Sequence, residues 1–151
     1  MKSQEAIIDA EIRQSTLIRA PREQVYDAIA TAEGLDSWFT DGSEIELHPG
    51  GTLMFRWRNW GPDKVNQDSK AVVVEVERPE RFVFQWASDN PSYVTTIEIE
   101  FEEVEEGTVV RLREHGYHDT PSGRRALMEC AAGWGEALTL MKFWVEHGIR
   151  Y

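Results

Sequence analysis

The sequence contains a single cysteine, Cys130, so no disulfide can form within the chain. No apolar stretch reaches the roughly 18 residues of a membrane-spanning helix, and no apolar run follows Lys2. We therefore expect neither a membrane span nor a signal peptide. The expected location is the cytoplasm. Stability has to come from a packed core, and 151 residues are enough to form one as a single domain over residues 1–151.

Basic residues are also scarce. Lys and Arg number 16 against 27 Asp and Glu, which gives a formal net charge of −11. Proteins bind nucleic acid and anionic lipid largely through Lys and Arg, and a surplus of carboxylates opposes both kinds of binding. We expect no nucleic-acid partner and no membrane partner.

Aromatic residues, in contrast, are abundant. Six Trp, six Phe and four Tyr occur in a chain whose mean hydropathy is only −0.48. Side chains of this size line either an unusually aromatic core or a cavity that holds a ligand.

The first forty residues indicate a strand followed by two short helices. Apolar and polar residues alternate from Ile8 to Ile18, which is typical of a strand with one buried face. Pro21 suits the first turn of a helix, and the break at Gly34 separates that helix from a second short one that contains Trp38.

From Ser43 to Arg113 the period is two almost throughout, and short turns predict six further antiparallel strands. We expect a polar loop from Asn59 to Asp68, with Trp60 at its start, and a turn from Ala87 to Ser92. The predicted inward residues are Ile45, Leu47, Leu53, Phe55, Trp57, Val72, Val74, Val76, Phe82, Phe84, Trp86, Ile97, Ile99, Phe101, Val110 and Leu112.

The last segment changes to a helical period. A start signal at Thr120-Pro121 and a glycine at Gly148 delimit one long amphipathic helix. Its apolar stripe comprises Leu127, Cys130, Ala131, Trp134, Leu138, Met141 and Val145. A sheet with one apolar face should curl around such a helix.

Three stretches in this order resemble the START-like, or SRPBCC, superfamily, and more narrowly the family named after the activator of heat shock protein 90 ATPase. They are Ala20-Pro21 through Trp38-Phe39, Pro49-Gly50-Gly51 before Phe55, and Gly133-Trp134 through Met141. The resemblance implies an α+β helix-grip fold: a curved antiparallel seven-stranded sheet, with two short helices after strand one, wrapped around a long C-terminal helix. It also implies a deep cavity between sheet and helix.

We expect a set of residues to line that cavity and bind the ligand. Singly, each is best interpreted as core, but so many indole N–H groups are hard to satisfy in a small core without an adjoining wet or ligand-filled space. The candidates are Trp38, Phe39, Phe55, Trp57, Phe84, Trp86, Glu114, Trp134, Leu138 and Met141.

The placement of Glu114 stays open at this point. It shares the parity of Val110 and Leu112, which would put its carboxylate inside, whereas a strand end that reaches water avoids the cost of burying a charge and is the interpretation we favour. His115 has the opposite parity, and a bulge near Gly116 would reverse the two.

The sequence offers little other chemistry. Glu114, His115, His118 and Asp119 match no helix-borne ligand spacing, and Cys130 lacks a catalytic partner, so we predict no metal, no cofactor and no catalytic residue. The acidic segment from Glu98 to Glu106 is interpreted as a solvated face, with docking of a basic partner as the alternative.

The leading hypothesis is therefore a protein that binds an apolar or aromatic small molecule. The alternatives are a chaperone-associated interaction domain, as the resemblance implies, or a cyclase or hydrolase in which Glu114 serves as acid or base. We expect a monomer or a homodimer.

Overall fold

The computed structural model describes residues 6–87 and 90–151. A seven-stranded antiparallel sheet is ordered β1-β7-β6-β5-β4-β3-β2, which places the first and second strands at opposite edges. The elements are β1 (Ile12–Ile18), α1 (Arg22–Ala30), α2 (Ala32–Trp38), β2 (Glu44–Ile45), β3 (Thr52–Trp60), β4 (Val65–Glu77), β5 (Arg81–Trp86), β6 (Thr95–Val104), β7 (Gly107–His115) and α3 (Pro121–His147). The predicted helix-grip fold is confirmed.

The long helix α3 begins and ends where the sequence predicts. The Thr120 hydroxyl accepts a hydrogen bond from the Gly123 N–H at 2.9 Å, and Gly148 adopts a left-handed conformation with φ 67°. Its buried stripe, which includes Trp134, Leu138 and Met141, packs against the concave face of the sheet. Within the described residues, no helix is long and apolar enough to cross a membrane.

Strand β4 corrects one part of the predicted pattern. Val73 is 0% exposed, whereas Val72 and Val74 are 45% and 40% exposed, so these two valines face outward rather than inward. A register shift between Val73 and Glu75 inserts an extra residue, and Val76 becomes half-buried on the core side. The run of one alanine and three valines from Ala71 to Val74 has no polar residue to mark its outer face, which is why the predicted alternation failed here.

The predicted polar loop from Asn59 to Asp68 is also wrong. Strand β3 continues to Trp60 and β4 starts at Val65, so only a four-residue turn separates them. The two strands form a long hairpin whose polar residues are solvated, and polarity alone does not distinguish such a hairpin from a loop. The predicted turn at Ala87–Ser92 falls partly on residues 88–89, outside the described residues.

The outer face of the sheet carries the acidic segment, and arginines pair with it. Arg81 contacts Glu75, Glu98 and Glu100 at 3.0, 2.5 and 2.8 Å. Partial burial acts to raise the pKa of Glu98, but hydrogen bonds from Arg81 and His115 outweigh burial and leave this pKa below its ordinary value. The segment is thus a partly neutralised outer surface, in agreement with the solvated-face interpretation.

A small polar cluster fixes the end of α2, which carries Phe39. One Asp36 oxygen accepts hydrogen bonds from the Thr40 hydroxyl at 2.7 Å and from the Ser43 hydroxyl and N–H at 2.8 and 3.0 Å. Partial burial would raise the pKa of Asp36, but these hydrogen bonds prevail and lower it. The ionised carboxylate therefore stabilises this corner.

We expect Asp36→Asn to lower the free energy of unfolding by about 1 kcal/mol at pH 7, because Asn keeps the accepting oxygen but loses the charge; partial exposure limits the effect. Since the folded pKa lies below the unfolded value of about 3.9, the difference should shrink as pH falls through the folded pKa. Urea unfolding of the wild type and the variant at several pH values measures this difference in unfolding free energy. Asp63→Asn, in the exposed β3–β4 turn, is the control; a pH-independent difference for Asp36→Asn would contradict the assignment.

Candidate ligand pocket

A pocket of about 350 Å³ lies between the β3–β4 hairpin and the middle of α3. This volume is at the lower end of the roughly 300–1,000 Å³ that small-molecule sites occupy. The lining residues are Phe39, Trp57, Trp60, Val65, Gln67, Ser69, Trp86, Ala87, Glu129, Cys130, Gly133, Trp134 and Ala137.

Aromatic rings form most of the wall and contact one another. Phe39 meets Trp57 and Trp60 edge-on, with ring centroids 5.4 and 5.6 Å apart. Trp57 in turn lies 6.2 Å from Trp86, and Trp86 stacks on Trp134 at 5.6 Å with an interplanar angle of 25°. Such contacts hold the rings in place and prepare the wall before any ligand arrives.

Glu114 lies directly behind this wall. It is 0% exposed, and its two oxygens accept four hydrogen bonds. The donors are Trp134 Nε1 at 2.8 Å to Oε1, and Trp86 Nε1 at 3.1 Å, Thr95 Oγ1 at 2.6 Å and the Tyr117 hydroxyl at 2.8 Å to Oε2. The expectation that this carboxylate reaches water is therefore wrong.

This carboxylate is stabilised by four neutral hydrogen-bond donors and, among the described residues, not by an ion pair. The nearby basic side chains Arg113 and His115 pair with Glu98 on the outer face, and no ion pair of Glu114 occurs in the described part of the chain. A carboxylate is an acceptor-only group and an indole N–H is a donor only, so the two are complementary. The arrangement offsets the cost of burial and fixes the rotamers of both tryptophans.

The regular register of β7 explains why Glu114 rather than His115 faces inward. Glu114 pairs with Ile97 on one side and Ile12 on the other, without a bulge before it. Gly116 has a positive φ angle of 106°, and it lies after the end of β7. A bulge there cannot reverse the parity of the preceding strand.

Trp57 provides the least satisfied polar group of the wall. Its side chain is 9% exposed, and its buried Nε1–H has no hydrogen-bond partner among the described residues. An unpaired buried donor costs on the order of 1–3 kcal/mol. A small turn of the indole toward the pocket would relieve this cost by exposing the N–H to water or to a ligand acceptor.

The structure divides the predicted site residues into three groups. Phe39, Trp57, Trp86 and Trp134 line the pocket, and Glu114 supports two of them from behind. The remaining candidates are buried in the surrounding core and do not line the pocket: Trp38, Phe55, Phe84, Leu138 and Met141.

Sequence reasoning missed Trp60 and the α3 residues on the pocket side, such as Glu129 and Gly133. Trp60 breaks the alternation because the β3–β4 register shifts between Trp57 and Trp60, where Asn59 has φ 52°. Glu129, Gly133 and Ala137 are spaced four residues apart, and this spacing could have predicted that they lie on one face of the helix.

The four residues considered as metal ligands, Glu114, His115, His118 and Asp119, do not form a common site. His115 is on the outer face, His118 stacks on Tyr93 at 3.7 Å, and Asp119 pairs with Arg124. No group of three metal-ligating side chains occurs among residues 6–87 and 90–151.

Comparisons with known proteins agree with this fold. Residues 19–146 match the family described as "Activator of Hsp90 ATPase homolog 1-like protein". No curated protein shows significant sequence similarity to the chain.

Three solved structures are similar over most of the chain. A protein of Staphylococcus saprophyticus is 24% identical, with a TM-score of 0.76, covering 94% of this chain and 96% of that one. The Aha1 dimer of Colwellia psychrerythraea is 25% identical, with a TM-score of 0.75 and coverages of 92% and 98%. CalU16 of Micromonospora echinospora is 20% identical, with a TM-score of 0.67 and coverages of 89% and 72%.

Proposed function

The chain belongs to the activator of Hsp90 ATPase homolog 1-like family, and we propose that it binds an aromatic small molecule in the pocket between the β3–β4 hairpin and α3. The observation that carries the proposal is the aromatic wall. Four tryptophans and Phe39 surround one space, and two of the indoles are fixed by a buried carboxylate.

The shape and polarity of the space favour a flat ring system. The Trp86 and Trp134 rings lie nearly parallel to each other, whereas Phe39 meets Trp57 edge-on. A planar ligand gains offset-stacked and edge-to-face contacts here, each about 0.5–1.5 kcal/mol beyond the burial of its apolar area. Trp57, whose buried N–H has no partner among the described residues, is one of the lining residues, and a ligand acceptor that this N–H reaches after a small turn of the indole would satisfy it.

The same geometry argues against Glu114 as an acid or base. Both of its oxygens are engaged, and it does not line the pocket. A general acid or base has to come within hydrogen-bond reach of the reacting atom, directly or through one water. The binding proposal therefore has better support than the cyclase or hydrolase alternative.

Methylnaphthalene is a suitable neutral probe. On titration into ¹⁵N-labelled protein, we expect the indole N–H signals of Trp57, Trp60, Trp86 and Trp134 to shift together with one dissociation constant. Ring currents of a ligand stacked on these indoles cause the shifts.

Two indoles in the same protein serve as controls. Trp38 donates its N–H to the Ala28 carbonyl at 2.8 Å inside the core, and Trp144 lies on another surface at the end of α3. Their signals should stay in place. Shifts that are equal at all six tryptophans, or absent throughout, would contradict a specific pocket.

A further inference from the structure

We infer that the pocket prefers organic cations with aromatic rings over neutral and anionic molecules of the same shape. The inference rests on the proposed function and specifies its ligand class. Three features carry it: the four tryptophans that line the pocket, the buried charge behind two of them, and the charge at the rim.

Tryptophan is the side chain whose ring face attracts a cation most strongly. The negative face of its π-system favours a positive charge within about 6 Å of the ring centroid, and the attraction grows when water is excluded. Trp57, Trp60, Trp86 and Trp134 all line the pocket, so a bound cation lies close to several indole rings at once. Neutral rings gain dispersion and stacking here but not this electrostatic contribution.

The carboxylate of Glu114 adds to the effect through the rings themselves. It is fully buried, and it accepts the N–H groups of Trp86 and Trp134 at 3.1 and 2.8 Å. Hydrogen bonds in a low-dielectric interior polarise the groups that make them, so electron density moves from each N–H edge toward its ring face. The negative charge itself has no cationic partner among the described residues and acts across the wall.

The rim of the pocket, like Glu114 behind its wall, carries negative charge. Glu129 is exposed on α3 and lines the pocket, whereas none of the described lining residues is Lys or Arg. The net charge of −11 extends this potential to longer range and favours approach of cations. An anionic ligand would meet a carboxylate at the rim and another behind the wall.

Three probes that share one bicyclic frame test the inference on the unmodified protein: N-methylquinolinium, methylnaphthalene and naphthoate. We expect N-methylquinolinium to bind about tenfold more tightly than methylnaphthalene, and naphthoate to bind most weakly. Dissociation constants come from the indole shifts or from quenching of tryptophan fluorescence.

The outcomes separate the two proposals. If none of the probes binds, the proposed function fails. If methylnaphthalene binds as tightly as N-methylquinolinium, or more tightly, aromatic binding stands and the preference for cations is overturned.

A pair of variants on α3 distinguishes local charge from net charge. Glu129→Gln removes the rim carboxylate and should reduce the preference for N-methylquinolinium over methylnaphthalene by about twofold to threefold. Glu136→Gln makes the same change in net charge on another surface of the helix and should leave the preference unchanged. Equal effects of the two variants would overturn the assignment of the preference to this pocket.

Discussion

Replacing Glu114 with Gln should lower the free energy of unfolding by about 2–4 kcal/mol, a large effect for a change that conserves shape. The side-chain amide of Gln has one accepting oxygen and one NH₂ group, whereas the four groups around Glu114 all donate. Whichever way the amide is turned, its NH₂ faces a donor, and at least one indole or hydroxyl loses its acceptor inside the core.

Urea unfolding measures this loss, and the indole N–H signals of Trp86 and Trp134 report it locally. We expect both signals to move in the folded variant, because each loses a charged acceptor. Glu102→Gln is the matched control, since Glu102 is exposed and pairs with Arg111 at 3.1 Å; its change should stay within about 0.5 kcal/mol. Equal stabilities of the two variants would show that the buried hydrogen bonds contribute little.

Filling the pocket from α3 should abolish binding without unfolding the protein. Gly133 lines the pocket, and a Cβ built on it meets no atom within 4 Å. In Gly133→Leu the added side chain would occupy space that the ligand needs, and we expect the affinity for methylnaphthalene to fall at least about 30-fold, equivalent to about 2 kcal/mol. Leu is a better helix former than Gly, so the free energy of unfolding should stay unchanged or rise by up to about 1 kcal/mol.

This combination separates a blocked site from a damaged fold. Gly135→Ala is the control on the same helix, because its Cβ would contact the flexible side chain of Gln14 at 3.4 Å rather than the pocket. It should bind methylnaphthalene with wild-type affinity. Unchanged binding by Gly133→Leu would place the ligand somewhere other than this pocket.

The elements that sequence reasoning predicted well carry local signals. The ends of α3 are marked by Thr120 and Gly148, whose capping geometry depends on the neighbouring residues alone. The alternation in β6 and β7 is regular because Glu and Arg mark the outer face at every second residue. Where no charged residue marks the outer face, as around Val72 and Val74, the prediction assigned outward-facing residues to the inner face.

The candidate site was predicted only in part for a related reason. An aromatic residue at an inward position can be core or pocket wall, and the two differ only in whether another element packs on the exposed ring. Phe55 and Phe84 are covered by neighbouring rings, whereas Trp57 and Trp86 adjoin the open space. That difference depends on the distance between the hairpin and α3, which no local pattern records.

The order of strands and helices, the outward position of the acidic segment and the aromatic character of the interior could be predicted from the residues alone, because period, capping and charge are properties of adjacent residues. The helix-grip fold was implied by the family resemblance. The folded structure was needed to show that Glu114 is enclosed by four donors, that Trp60 joins the wall and that five predicted site residues are core. The pocket depends on contacts that join Phe39 and the β3–β4 hairpin to α3, segments that are far apart in the chain and meet only when the helix packs on the sheet.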